Sequence, residues 1–335
     1  MTTRFGINLG RFTAAATVAV ATAFASTAAM AERFTLLSGW PTNFSFYAEI
    51  GPRFEALAQQ QLGNATLQIA ANGPDVVPSF EQLEPVQAGV FDMLFTHGAY
   101  HSGTTGIGIA IDAVENDPER RRSSGIFEYM DKHYQTKGLK LLSIPSIGTK
   151  GFGYYLRDPI TSEPALQGRR IRGTVTYHPM MRWLGASPVN LAPADIYTGL
   201  QRGTVDGAAW ALVGASDYKW YEVVNYMARP TFGQLSMLIL MNLDRWNSLS
   251  PEIQNALSEA GRLVEIEAIA VFDEMQVKEV EVLQSKGMKF TEFGPNEAPN
   301  VDAKFAEGVW EVATNASKAE AEEMREMARK AGMSE

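Results

Sequence analysis

The sequence contains no cysteine, and several kinds of chemistry are excluded with it. A chain of 335 residues without cysteine has no disulfide, no thiolate metal ligand, no CxxC redox motif and no cysteine nucleophile. Histidine is also scarce, with four residues, and no HExxH metal motif occurs. A chain of this length can bury substantial cores without covalent cross-links.

Acidic residues outnumber basic residues. The chain has 29 Lys and Arg and 38 Asp and Glu, which gives a net charge of −9. A nucleic-acid binder needs a basic face to displace counterions, so this balance argues against a nucleic-acid partner. The densest basic run, Arg120, Arg121 and Arg122, has acidic residues on both sides. We predict that this run is a solvated helix face with internal ion pairs.

One long apolar run is present, over residues 12–30, and it follows Arg4 and Arg11. It ends in the small-x-small triplet Ala29-Met30-Ala31, which predicts an export signal over residues 1–31. The alternative is an uncleaved anchor, because the run is nearly long enough to span a bilayer. No later run reaches about 18 apolar residues, so we expect cleavage and no stable membrane anchor. Cleavage removes two arginines and no acid, which changes the net charge from −9 to −11.

The chain length favours two domains, and short β-like runs alternate with amphipathic stretches as in α/β proteins. The strands are predicted over residues 33–40, 66–70, 91–95, 139–144, 151–156, 170–173 and 235–241. A helix is predicted over 44–62. Ser250-Pro251-Glu252 is a strong helix start and the next break is Gly287, so a helix of about 36 residues is expected to cross both domains.

Several short motifs occur together along the chain. They are Phe54-Glu55-Ala56-Leu57, Val86-Gln87-Ala88-Gly89, Phe91-Asp92-Met93, Gln167-Gly168-Arg169-Arg170-Ile171-Arg172, Leu184-Gly185-Ala186, Pro188-Val189, Gly199-Leu200-Gln201-Arg202-Gly203-Thr204-Val205-Asp206-Gly207, Leu243-Asp244-Arg245-Trp246 and Leu249-Ser250-Pro251-Glu252. Each motif alone is weak. In combination, over nearly the whole mature chain, they resemble the DctP family, the periplasmic solute-binding subunits of TRAP (tripartite ATP-independent periplasmic) transporters.

The resemblance implies an α/β periplasmic solute-binding protein fold, with two lobes around a ligand cleft and a long helix spanning both. We expect lobe I to comprise 32–149 and 238–277, and lobe II to comprise 150–237 and 278–335. The implied function is that of a periplasmic receptor that binds an organic acid anion and delivers it to membrane permease subunits. Aromatic and hydroxy- or oxo-substituted monocarboxylates are the candidate ligands. We expect a monomer without a cofactor.

Arg172 is the leading candidate for ligand binding. If residues 170–173 form a strand, Arg170 and Arg172 lie on one face and Ile171 on the other. A guanidinium can bind a carboxylate through two parallel hydrogen bonds. The resemblance implies that Arg172 binds the ligand's carboxylate. The alternative from the residues alone is an ion pair with Asp206 or Asp195.

Trp210 is a candidate apolar wall of the cleft, and a core tryptophan is the alternative. In members of the resembled family that bind a metal with a 2-oxo acid, a Glu-Trp pair stands near this point. This chain has Ala209-Trp210 instead, so the segment lacks a carboxylate for a hard cation and we expect no metal.

Other candidate ligand contacts are aromatic or polar. His97 and His101 follow the third predicted strand at a four-residue spacing, and a hydrogen bond from His97 to the ligand is favoured over a metal pair. Aromatic residues crowd the start of the mature chain, where the resemblance places the cleft mouth. The full set besides Arg172 and Trp210 is Trp40, Phe44, Tyr47, His97, Lys150 and Tyr218.

The rival interpretation is a periplasmic hydrolase or lyase that uses His97 or Asp206 on a small carboxylate. No GxSxG, Walker or GxGxxG motif occurs. Ser216 and Lys219 have the bare SxxK spacing of penicillin-recognising enzymes, but the companion motifs are missing. The sequence therefore favours binding without catalysis.

Overall fold

The computed structural model describes residues 1–3, 6, 31–63 and 65–334. The apolar run that predicts the export signal lies outside these residues. Within the described ranges, no helix is both long enough and apolar enough to cross a membrane.

The described part of the chain is an α/β structure with eleven strands. In chain order the strands are β1 (Ala31–Ser38), β2 (Thr66–Asn72), β3 (Met93–Thr96), β4 (Leu139–Ser143), β5 (Phe152–Leu156), β6 (Arg170–Arg172), β7 (Ser187–Val189), β8 (Gly207–Ala211), β9 (Tyr226–Arg229), β10 (Leu238–Asn242) and β11 (Lys289–Glu292). The α-helices are α1 (Ser45–Gln61), α2 (Leu83–Gln87), α3 (Ile107–Ala110), α4 (Pro118–Ser123), α5 (Ile126–Gln135), α6 (His178–Trp183), α7 (Ile196–Gln201), α8 (Leu243–Ser248), α9 (Pro251–Ser285), α10 (Val301–Ala316) and α11 (Lys318–Lys330).

The strands form two separate sheets. The first sheet has the order β2-β1-β3-β10-β4, in which β1 is parallel to β2 and β3 while β10 is antiparallel to β3 and β4. The second sheet has the order β11-β9-β5-β8-β6-β7, in which β6 is parallel to β7 and β8. The chain therefore builds most of the first sheet, then the second, and returns to add β10 and β11. This architecture confirms the predicted α/β fold.

Two extended segments connect the sheets and run beside each other. Residues 144–151 lead from β4 to β5, residues 230–237 lead from β9 to β10, and Ser146 pairs with Ser236 in an antiparallel bridge. Arg121 fixes this crossing, because its guanidinium donates to Ser146 Oγ at 3.3 Å and to Ser236 Oγ at 3.0 Å. Its Nε donates to the Glu115 carbonyl, and its Nη2 donates to the Val114 carbonyl and to Asn116 Oδ1.

The prediction of a solvated basic helix face is wrong at its centre. Arg121 is 2% exposed, and burial lowers the pKa of its guanidinium to about 10. Its neighbours do form ion pairs, Arg120 with Glu115 and Arg122 with Glu265. The acidic neighbours of Arg121 in the sequence indicated an exposed side chain. Its guanidinium instead binds carbonyl and hydroxyl oxygens in the interior.

The long helix α9 has 35 residues and begins after Ser250, whose side chain accepts a hydrogen bond from the Ile253 amide. It packs closely against β4, since a Cβ atom on Gly261 would lie 2.2 Å from the Leu142 carbonyl oxygen. Its second half reaches the segment that follows β8 of the second sheet, where Glu279 accepts hydrogen bonds from the amide and hydroxyl of Ser216. The helix thus contacts both halves of the molecule, as the sequence predicted.

The carboxyl-terminal elements are shared between the two halves. The segment 278–335, which the sequence assigns to lobe II, contains β11 of the second sheet. However, α10 packs against both α3 and α6, and α11 packs against α3 and α5. Helix α10 therefore connects the second half of the molecule to the first, and α11 packs on α10 and on the first half.

Glu265 is the main polar anchor of α9 on the first sheet, and its removal is expected to destabilise the fold. Its carboxylate, 2% exposed, accepts from Arg122 at 2.7 and 2.9 Å and from the Ile144 amide at 2.7 Å. Burial raises the pKa of Glu265, and these hydrogen bonds oppose that effect. Because Glu265→Ala leaves a largely buried guanidinium unpaired, we expect the free energy of unfolding to fall by about 3 kcal/mol in urea titrations.

The matched control is Glu274→Ala on the same helix, where an exposed pair with Lys278 predicts no measurable change. Equal stability of the two variants would contradict the anchoring role of Glu265.

Candidate functional site

A cavity lies between the two sheets. The described residues that line it are Trp40, Phe46, His97, Tyr100, Phe152, Arg172, Thr174, Tyr177, Trp210, Ala211, Leu235 and Met237. Most of them lie at or just beyond the carboxyl ends of β1, β3, β6 and β8. In open α/β sheets this edge is where ligands bind, because the loops after the parallel strands converge there. We call this space the intersheet cavity.

Arg172 is the last residue of β6 and is 1% exposed. Its Nε and Nη2 atoms donate to the Leu191 carbonyl at 3.0 and 2.8 Å, and Nη1 donates to the Ala209 carbonyl at 3.3 Å. A guanidinium carries five N–H donors, so three are occupied by backbone oxygens and two remain for other acceptors. The backbone therefore fixes the orientation of the guanidinium without neutralising its charge.

The charge of Arg172 has no acidic partner among the described residues. Asp206, one of the two acids considered from the sequence, instead binds the amide and guanidinium of Arg170. Burial lowers the pKa of Arg172, and the nearby hydroxyls of Tyr100 and Tyr177 oppose that effect. A buried cation without a counter-charge is costly, and an anion in the intersheet cavity would compensate it.

Aromatic rings form the walls around this cation. The Trp210 ring lies under the guanidinium, 5.1 Å from its central carbon, and stacks on Phe46 at 6.4 Å. Trp40 packs edge-on against Phe46 at 5.1 Å and lies 5.1 Å from the Tyr100 ring. The walls of the cavity are thus formed mainly by aromatic rings, and the cavity is apolar apart from a small number of hydrogen-bond donors.

His97 lines the cavity, but protein groups occupy both of its ring nitrogens. Nδ1 accepts from the Ala99 amide at 3.3 Å, and Nε2 lies 2.7 Å from Asp112 Oδ2. These contacts assign the Nε2-protonated tautomer, with its proton directed to Asp112. His97 therefore presents ring carbons to the cavity, and no free lone pair is left for proton transfer.

The structure brings some of the predicted site residues together and leaves others apart. Trp40, His97, Arg172 and Trp210 line the cavity. Phe44 and Tyr218 stack on each other at 4.8 Å behind that lining, one from each half of the molecule. These two residues belong to the contact between the halves.

Two of the predicted residues lie elsewhere. Tyr47 packs against Phe95 on the inner side of α1, where burial raises the pKa of its hydroxyl to about 12. Lys150 is about half exposed at the crossing between the sheets and pairs with Asp302 at 3.4 Å. Neither side chain is among the residues that line the intersheet cavity.

Sequence reasoning missed several lining residues. Tyr177 and Thr174 follow β6 directly, so their place just after the Arg172 strand is a signal that could have identified them. Tyr100 lies between the two histidines after β3. Phe152 carries no such signal, because it stands at the start of a strand antiparallel to β8.

The SxxK spacing has a structural explanation. The hydroxyl and amide of Ser216 both donate to Glu279, and Lys219 adopts a left-handed backbone conformation with φ of 54°. A serine held by a carboxylate on α9 is not poised for attack on a substrate. In the described ranges, no group of three or more His, Asp or Glu side chains converges as a metal site would require.

Known proteins resemble this chain in sequence and in fold. The 2,3-diketo-L-gulonate-binding periplasmic protein YiaO of Escherichia coli K12 is 29% identical over 159 residues, which cover 44% of this chain and 48% of YiaO. For the first three curated relatives the matched segments span 40%, 48% and 42% of their lengths, less than half in each case.

Solved structures agree in fold over almost their whole length. A TRAP periplasmic solute-binding protein from Desulfovibrio salexigens with bound orotic acid has a TM-score of 0.78 at 17% identity, covering 89% of this chain and 98% of that one. DctP7 of Bordetella pertussis, an extracytoplasmic solute receptor binding pyroglutamic acid, has a TM-score of 0.77 at 16% identity, covering 89% and 99%. The family profile of the bacterial extracellular solute-binding proteins, family 7, matches residues 39–316, and this chain belongs to that family, DctP.

Proposed function

We propose that this protein is the periplasmic receptor of a TRAP-type importer and that it binds an organic acid anion in the intersheet cavity. The observation that carries the proposal is Arg172, a buried cation with no acidic partner among the described residues. A ligand carboxylate supplies the missing charge and two acceptor oxygens for the two remaining N–H donors.

Arg172 favours a monocarboxylate. No lysine and no other arginine is among the described residues that line the cavity, so a second ligand carboxylate would be buried without a counter-charge. The aromatic walls fit a flat apolar body. The similar proteins are named for organic acids, namely 2,3-diketo-L-gulonate, orotic acid and pyroglutamic acid, which supports this class of ligand.

Binding is proposed to occur by closure of two lobes, each built around one sheet. The cavity takes residues from both sheets, so an open state would expose Arg172 to solvent and a closed ligand-bound state would enclose it. Ligand can favour closure only through contacts that it makes better in the closed state. Trp40 and Trp210, from opposite halves, provide such contacts.

The same geometry argues against the rival hydrolase or lyase. His97 is one of the two residues that the rival interpretation would use for catalysis. The lone pair on its Nδ1 already accepts a hydrogen bond from the Ala99 amide. Asp206 is bound to Arg170 outside the cavity lining. We therefore propose a receptor without catalysis, which works as a monomer in the periplasm and passes its solute to membrane permease subunits.

The proposal is tested by mass spectrometry of the small molecules released from purified protein, followed by a thermal-shift screen of organic acids. We expect an organic acid recovered unchanged after incubation. Conversion of the bound acid by the purified protein would establish the enzyme instead.

Replacement of Arg172 is expected to abolish most of the affinity for that acid. Arg172→Ala should weaken binding by about 2–5 kcal/mol in isothermal titration, because one partner of a buried charge pair is lost. Arg172→Lys keeps the charge but not the paired donors, and should recover part of the affinity.

The control is Arg170→Ala on the same strand, where the side chain is half exposed and paired with Asp206. Near-native affinity in Arg172→Ala, with an unchanged unfolding temperature, would contradict the assignment.

Closure is expected to depend on a polar contact between the two halves. Asp217 accepts hydrogen bonds from the amide of Ser45, at 3.2 Å, and from its hydroxyl, at the first turn of α1. Asp217→Ala should weaken ligand affinity up to about tenfold, since this contact is proposed to form in the closed state. Small-angle scattering should show a larger radius of gyration at a fixed, subsaturating ligand concentration.

Asp195→Ala removes the same charge from an exposed site and serves as the control. If both variants bind and close like wild type, Asp217 does not contribute to closure.

A further inference from the structure

A second cavity lies on the other side of the extended segment that leads from β9 to β10. Leu235 and Met237 of this segment line the intersheet cavity, whereas Gln234 lines the second cavity. Side chains of an extended segment alternate between its two sides, so this segment separates the two cavities. We call the second space the outer cavity.

The outer cavity has walls from both halves of the molecule. Asp112 and Glu115 line it from the first half. Ala303 and Phe305, in the first two turns of α10, line it from the other side. The ring of Phe305 packs against Phe152 of the second sheet, with 5.1 Å between the ring centroids. A movement of one half relative to the other would therefore change the width of the outer cavity.

The close contacts of α10 are divided along its length. A Cβ atom on Gly308 would lie 2.8 Å from the Pro179 side chain at the start of α6, in the second half. A Cβ atom on Gly106, in the first half, would lie 2.4 Å from the Ala313 carbonyl oxygen. Contacts this close leave little room for sliding. The first turns of α10 are therefore expected to move with the second half.

Met333 is held at the outer cavity by the first half. Its side chain lines the cavity and is 3% exposed. The Glu115 amide donates to the Met333 carbonyl at 2.8 Å, and Arg120 donates to the carbonyls of Ala331 and Gly332 at 2.7 and 3.0 Å. The Met333 side chain therefore cannot leave the cavity unless these hydrogen bonds break.

The two cavities lie on opposite sides of a segment that joins the two halves. When two bodies rotate about a joint, their surfaces separate on one side of it and approach on the other. Opening of the intersheet cavity would therefore bring the walls of the outer cavity together. Any side chain that fills the outer cavity would resist this approach.

We propose that the outer cavity controls closure, and that Met333 opposes opening of the intersheet cavity by filling part of the outer one. The inference rests on the proposed closure of two lobes and deepens it. It assigns control of the equilibrium between open and closed states to side chains that do not line the ligand cavity. Added volume in the outer cavity favours the closed state, and lost volume favours the open state.

The test measures the open and closed populations in protein without ligand. The chain has no cysteine, so Ala48→Cys on α1 and Gln201→Cys on α7 place one spin label on each half, at exposed positions. Ala303→Leu adds volume to the outer cavity and should raise the closed population about threefold in double electron–electron resonance. Met333→Ala removes volume and should lower the closed population by about the same factor.

Ligand affinity should change in the same directions, because only the closed population encloses the ligand. Isothermal titration with pyroglutamate and with orotate as probes should show tighter binding in Ala303→Leu and weaker binding in Met333→Ala. Ala306→Leu, at a second alanine that lines the outer cavity, should act like Ala303→Leu.

Ala316→Leu is the matched control. Ala316 is the exposed last residue of α10 and is not among the described residues that line the outer cavity. This substitution should change neither the populations nor the affinity, and thermal unfolding should show that all variants are folded.

Two outcomes would overturn the inference. One is populations that are the same in wild type and in every folded variant. The other is a shift in the same direction when volume is added and when it is removed, which indicates disturbed packing alone. Both outcomes leave the receptor function intact, because the mass spectrometry and the thermal-shift screen described above test that function separately.

Discussion

The structure of the cavity depends on the guanidinium of Arg172, which is charged and shielded from solvent. Arg172 is oriented by the Leu191 and Ala209 carbonyls, which accept its hydrogen bonds but cannot balance its charge. In a low-dielectric interior that imbalance costs several kcal/mol, so the closed arrangement is stable only to the extent that something else offsets it. An anionic ligand would offset it directly. In the proposed receptor, the rest of the molecule brings two aromatic walls onto the bound anion.

The proposed opening and closing of a single cleft requires halves that are separately stable and joined at few points. Each sheet has its own helices, while two adjacent extended segments, α9 and α10 connect them. Polar contacts at the joints are specific: Arg121 binds Ser146 and Ser236, and Glu279 binds Ser216. Buried hydrogen bonds of this kind fix one geometry more strictly than apolar packing does, which suits the joints of a molecule that is proposed to close in one defined way.

Local signals in the sequence predict the long elements and the strand that carries Arg172, because these depend on nearby residues. The caps of α9 and the strand of Arg172 are of this kind. The ligand role of Arg172 was implied only by the family resemblance. By contrast, β8 is a run of small residues around Trp210 without alternation, and its burial on both faces comes from distant neighbours. Lys150 had no local signal that would place it at the surface crossing, and Arg121 had acidic neighbours that suggested exposure. Which side chains enter the cavity is decided by the packing of the two sheets against each other.

The cavity wall and the connecting segments share one hydrogen-bonded chain. His97 binds Asp112, the other oxygen of Asp112 accepts from the Ser236 amide, and the Ser236 hydroxyl accepts from Arg121. Both carboxylate oxygens of Asp112 therefore already have hydrogen-bond partners within the protein. Ser236 lies in a segment that joins the two halves. A shift of that segment would therefore move a hydrogen-bond donor to Asp112, the residue that binds His97. In the proposed receptor, the net negative charge of the chain therefore matters little to recognition, which depends on where individual charges are buried and on which partners they already have.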